Sequence, residues 1–184
     1  MGLGYMGLAA SVDEIGSIFS SRDDERFAAL MHSDHPFVRS LLDSAERRNA
    51  LRDIFVGADC TSESEHHYGY AMEAACFQFG ESLGEVGGSY GAIYDVMELL
   101  READMDVDLL PDPDVEWFVP IPPMTSWPTV ATIATKQCGD RAGALATALT
   151  RIPKDAERRE FVDTFQRWYS VCAETSRDLI VIAH

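Results

Sequence analysis

The sequence predicts an α/β protein of the α+β type: a helix-rich single domain around a small sheet containing the N- and C-terminal strands. Three observations carry this. Apolar residues recur at three- and four-residue spacing through most of the chain, the pattern of helices that bury one stripe. A short apolar stretch, Gly4 to Ala10, opens the chain, and an unbroken run, Leu179 to Ile182, closes it with the pattern of a strand covered on both faces. The 184 residues, 46% apolar, suffice for a core without metals or disulfides, and no repeat, linker or compositional break divides residues 1–184.

Taken in order, Gly4 to Ala10 reads as a strand that needs partners, most simply the C-terminal one. Ser11 precedes Glu14 by three residues, a reciprocal capping pattern that starts a short helix through Ile15, Ile18 and Phe19. Ser21 to Asp24 repeats the device for a helix carrying Phe27, Leu30 and Met31. Pro36 opens a longer helix, with Asp34 as its cap, that reaches about Val56 and is stopped by Gly57. After a polar loop from Asp59 comes the central helix, predicted over Glu65 to Leu83. Its stripe of Tyr68, Met72, Ala75, Cys76, Phe79 and Leu83, with a second line of Tyr70, Ala74 and Phe77, implies packing on two sides. Gly84 to Ser89 reads as a turn, and a helix follows to Ala103 on Ile93, Met97 and Leu100. Asp104 to Pro113 fits an edge strand or a loop equally well. Trp117 to Pro123 reads as an extended, Pro-interrupted segment lying on the core. Thr129 to Ala134 is a strand, Thr135 caps a helix ending near Thr150, and Phe161, Phe165, Trp168, Tyr169 and Cys172 mark the last helix.

The formal charge of −16 is concentrated in the middle of the chain. Residues 61–116 hold 14 Asp or Glu and a single Arg, whereas residues 117–184 hold seven acids and eight bases. That distribution excludes a phosphate-backbone binder, which needs clustered Lys and Arg, so no nucleic-acid partner is expected. It permits a basic protein partner, while scattered surface acids also serve solubility. No 18-residue apolar run occurs, and the first ten residues lack the basic flank of a signal peptide, so no membrane partner is expected. Four Cys at 60, 76, 138 and 172 form no CxxC pair and read as reduced, implying a cytoplasmic location.

Candidate chemistry gathers at the start of the central helix. His66, Tyr70 and Glu73 follow i, i+4, i+7 and share a side, the weak candidates for acid–base catalysis in a small-molecule enzyme. His66 and His67 diverge by about 100 degrees and do not chelate one ion together, so no metal or cofactor is expected. No nucleophile elbow or phosphate loop occurs. The same residues also fit a plain exposed first turn. Binding candidates are His67 and Tyr68 with Trp117 and Trp127, whose indoles stand among Pro120, Pro122, Pro123 and Pro128 and seldom vanish into a core.

The strand through Val12 with Asp13, the segment HHYGYAMEAACFQFG at 66–80, the Pro-rich stretch at 120–128 and the terminal DLIVIAH together resemble an uncharacterised bacterial, mainly actinobacterial, family of domains of unknown function. The resemblance covers nearly the whole chain as one domain. It implies a structural part for Tyr68, Gly69, Ala71, Glu73 and His184 and supplies no catalytic role. The preferred expectation is a non-catalytic binding or regulatory protein acting through an acidic and aromatic face. A small-molecule enzyme and a structural subunit of an oligomer are the alternatives.

Overall fold

The computed structural model describes residues 3–58, 65–88, 92–105, 107, 109–110, 118–121, 128–156 and 158–183. Four strands form one antiparallel sheet: β1 (Leu3–Ala10), β2 (Glu81–Gly88), β3 (Thr129–Ile133) and β4 (Asp178–Ala183), in the order β2-β1-β4-β3. The two chain-terminal strands lie side by side at the centre, with Leu8 opposite Ile180 and Tyr5 opposite Ala183. Alternation along each strand then sends side chains to opposite faces. Leu8, Ala10, Ile180, Ile182 and Val130 enter one core, whereas Tyr5, Ala9, Val86, Leu179, Val181 and Ile133 enter another.

Helices cover the two faces in chain order. The first face is packed by α1 (Val12–Gly16), α2 (Asp24–Met31), α3 (Pro36–Leu41), α4 (Ala45–Val56) and α5 (His66–Phe79). The second is packed by α6 (Ala92–Glu102), α7 (Thr135–Arg151) and α8 (Arg159–Thr175). This arrangement explains why β4 is apolar from Leu179 to Ala183 although its neighbours run antiparallel: both of its faces are dry there.

Several local expectations are corrected. The single helix expected from Pro36 to Val56 is two helices, because Ser44 accepts a hydrogen bond from the Arg47 N–H at 3.2 Å and caps a new start. The guanidiniums of Arg47 and Arg48 take up the carbonyls of Leu41, at 3.2 Å, and Leu42, at 2.8 Å, where α3 ends. Asp34 does not cap α3; His35 occupies that position without a side-chain bond. The central helix stops at Phe79 rather than Leu83, and Glu81 to Gly88 is an edge strand on β1 rather than a turn. Only Val86 of that strand is buried, so the pattern carries little apolar signal. Ala134, not Thr135, is the N-cap of α7, and it offers no side-chain bond. Ser11 caps α1 as expected, accepting from the Glu14 N–H at 3.1 Å.

The middle of α5 is buried around its circumference, from Tyr68 through Cys76 apart from half-buried Tyr70, because α3, α4, α1, α2 and β1 all pack on it. The second core centres on Trp168, whose indole N–H donates to the Leu83 carbonyl at 2.9 Å and whose ring meets Phe165 at 4.8 Å. The Tyr169 hydroxyl donates to the Leu109 carbonyl in the same layer, and burial pushes its phenol up to about 12.

Candidate functional site

Two regions hold the functional candidates. The first is the leading turn of α5, which begins at Glu65 without a side-chain cap. His66 and His67 are half-buried with ring centroids 4.5 Å apart, and the edge of Tyr70 meets His66 at 6.3 Å. The Arg47 guanidinium lies over the Tyr70 ring at 4.1 Å, a cation–π contact that also joins α4 to α5. Tyr68 is a core residue whose hydroxyl donates to Asp53 Oδ2 at 3.1 Å. Glu73, seven residues along from His66, is completely buried. His66 and Tyr70 thus stand at the margin of the helix, and Glu73 lies inside.

Burial holds the His67 imidazole below its ordinary value of 6.5, with the charge of His66 adding to the shift and that of Glu46 opposing it. Its Nδ1 is buried with no hydrogen-bond partner among the described residues. The folded protein therefore binds the His67 proton less readily than the unfolded chain does. The resulting stability is present above about pH 6.5 and is lost as pH falls through the lower folded value. The urea midpoint of the native protein is expected to drop between about pH 7 and pH 5.5, and His67→Gln to flatten that drop. Parallel profiles for the two proteins would remove His67 as the cause.

The second region is the outer face of α6. Its buried line is Ala92, Val96 and Leu100, with Ile93 and Met97 half-buried, and this leaves Tyr94, Asp95, Glu98 and Glu102 exposed. Tyr94 is 66% exposed, the largest exposure of any big apolar side chain among the described residues. Beside it, Asp95, Glu98, Leu99, Glu102 and Arg158 line a cleft of about 240 Å³. Arg158 Nε lies 3.6 Å from Asp95 Oδ2 and ties α6 to the start of α8. The Arg158 backbone is left-handed, with φ of 67°, where it forms the N-cap of α8. Its far side lines a second cleft of about 470 Å³ with Lys154, Asp155, Arg159, Glu160 and Asp163. Glu81 and Glu85 of β2 are also exposed, so the negative middle of the chain reaches the surface on α6 and β2.

Trp117 and Trp127 lie outside the described residues, as do Cys60 and His184. Of the Pro-rich stretch, Phe118 to Ile121 and Pro128 are described; Pro128 is buried, and Val119 is buried in the first core. Sequence reading missed Tyr94 and Arg158. The signal for Tyr94 was available, since it falls off the apolar stripe of its helix; Arg158 reaches its place only through the packing of α8 beside α6. Among the described residues, no group of three or more His, Cys, Asp or Glu is placed to hold a metal, and no helix is long and apolar enough to cross a membrane.

A model of one family, described as a domain of unknown function (DUF7691), matches residues 1–184. No curated protein and no solved structure matches the chain.

Proposed function

The chain belongs to the DUF7691 family of domains of unknown function, and from that premise we propose that it is a non-catalytic binding protein whose partner is a basic protein segment held on the outer face of α6. The observation that carries this reading is Tyr94, 66% exposed beside Asp95, Glu98 and Glu102. An aromatic anchor with acids along one side suits a Lys- or Arg-rich segment, because the ring offers area and a cation–π surface while the carboxylates steer the approach. Three free thiols, Cys76, Cys138 and Cys172, accord with a reducing bacterial cytoplasm as the working compartment.

The test is a titration of a fluorescent Lys/Arg-rich peptide against the whole chain at two salt concentrations. Tyr94→Ala combined with Glu98→Gln and Glu102→Gln is expected to weaken binding about tenfold or more. A control that removes the same charge elsewhere, Asp140→Asn with Glu174→Gln, is expected to change it less than about twofold. Equal weakening by both variants would mean that net charge alone attracts the peptide, and would sink the proposal.

A second reading rests on the complete burial of Glu73, three residues along α5 from Tyr70, whose ring edge meets His66. There, His66 and Tyr70 would serve proton transfer in a small-molecule enzyme with Glu73 behind them. Glu73→Gln separates the two readings, since it leaves peptide affinity unchanged under the first.

A further inference from the structure

The sheet ends in two unlike edges. At one end β3 is short, and Val130 and Ile133 carry its two faces into the two cores. At the other end β2 is eight residues long, and only Val86 in it is buried. An end strand turns the N–H and C=O groups of every second residue outward, and among the described residues no strand takes up those of β2. From Gly84 to Gly88 its register against β1 is unbroken, so this stretch offers a regular edge.

The two faces of β2 differ. Val86 lies opposite Tyr5 and enters the second core with Ala92 and Val96 of α6. Glu85 and Gly87 lie opposite Met6 and Gly4 on the other face, and both are exposed. A Cβ added at Gly87 or Gly4 would meet nothing within 4 Å, so this side is a flat, open floor with a carboxylate beside it. Glu81 directs its carboxylate to Arg177 at 3.9 Å, whereas Glu85 has no ion pair among the described residues. A strand added at this edge meets a dry side next to Val86 and a wet, negative side next to Glu85.

We infer, resting on the reading of the partner as a basic protein segment, that part of that segment adds to the outer side of β2 as a further strand. Lys or Arg stands beside Glu85, and apolar side chains stand beside Val86. Backbone hydrogen bonds hold the strand, and the alternation of basic with apolar residues selects it. Bare Gly87 leaves room for a long neighbouring side chain to lie across the sheet. A second copy of this chain is the poorer occupant. Pairing β2 with β2 would bring together Glu81 and Glu85 of both copies, and like charges on paired strands repel. The charge that holds copies apart draws a basic strand.

The experiment uses the full chain and a peptide alternating Lys with Val over the length of β2. Amide exchange at residues 81–88 is followed by NMR with and without the peptide, together with its affinity. The expected result is exchange slowed about tenfold or more at alternate amides of β2. Glu85→Lys is expected to weaken binding about tenfold or more, against less than about twofold for Glu174→Lys, which makes the same charge change at an exposed position of α8. Replacing each Val of the peptide by Pro keeps its charge and removes half of its N–H donors, and should abolish the protection. A peptide that binds while β2 exchanges as before, or a Pro form that binds as tightly, would overturn the inference. So would protection of β2 without peptide that fades on dilution, since a second copy would then be the occupant.

The combined Tyr94→Ala, Glu98→Gln and Glu102→Gln variant separates the two surfaces. Undiminished binding with β2 still protected would remove the α6 face and leave the edge. Binding lost in that variant, with β2 unprotected in the native chain, would remove the edge and leave the α6 face. A peptide that does not bind the native chain would remove both.

Discussion

Gly7→Ala is expected to cost about 3 kcal/mol of folding stability, read as a lower urea midpoint with an unchanged slope. Gly7 lies in β1, on the face that looks toward α8. A Cβ there would fall 2.5 Å from Cδ2, 2.7 Å from Cε2 and 2.8 Å from Cε3 of the Trp168 ring. The ring has nowhere to retreat, since it is fully buried, packs on Phe165 and donates its N–H to Leu83. That carbonyl is in place because the β1–β2 register shifts between Gly7 and Leu8, leaving Leu83 unpaired as a bulge. Strand, bulge and indole therefore shift together or not at all. Gly4→Ala is the control, because nothing lies within 4 Å of the Cβ it would add. It is expected to change stability by less than about 0.5 kcal/mol. Similar losses from both substitutions would show that the ring yields easily and that the close approach at Gly7 matters little.

Asp178→Ala is expected to cost a similar amount, roughly 2–4 kcal/mol, by releasing two helices at once. Asp178 opens β4, and its carboxylate accepts from the Thr135 N–H at 2.9 Å and from the Val12 N–H at 3.1 Å. Those are the first residues of α7 and α1, whose leading N–H groups have no partner within their own helices. One negative charge thus meets the positive ends of two helices on opposite faces of the sheet. Asp178→Asn keeps one acceptor oxygen and loses the charge, so about half the loss is expected. Amide exchange at Val12 and Thr135 should quicken in both variants. A loss below about 1 kcal/mol for Asp178→Ala would mean that water serves these groups as well as the carboxylate does.

Much of the fold was legible in local pattern. The capping pair Ser11 and Glu14, the stripes of α6 and α8 and the apolar run of β4 all report contacts set by residues a few positions apart. Where reading failed, the local signal was weak or pointed the wrong way. Glu81 to Gly88 carries five acids or glycines with one buried residue, so an edge strand looked like a turn. Ser44 looked like an interior helix residue until its hydroxyl was seen to end one helix and begin the next. At the candidate site, periodicity placed His66, Tyr70 and Glu73 on neighbouring turns. Their depths differ because α5 plunges from a half-buried first turn into a closed core.

The amino-acid order by itself determined a helix-rich chain whose two ends pair as strands and whose middle third is strongly negative, since side-chain spacing and charge act over a few residues. Only the tertiary structure decided that the first five helices cover one face of the sheet and the last three the other. It alone also placed Asp178 on helices 43 and 166 residues away. Those meetings depend on which surfaces exclude water together, and that is a property of the packed chain rather than of any one stretch of it.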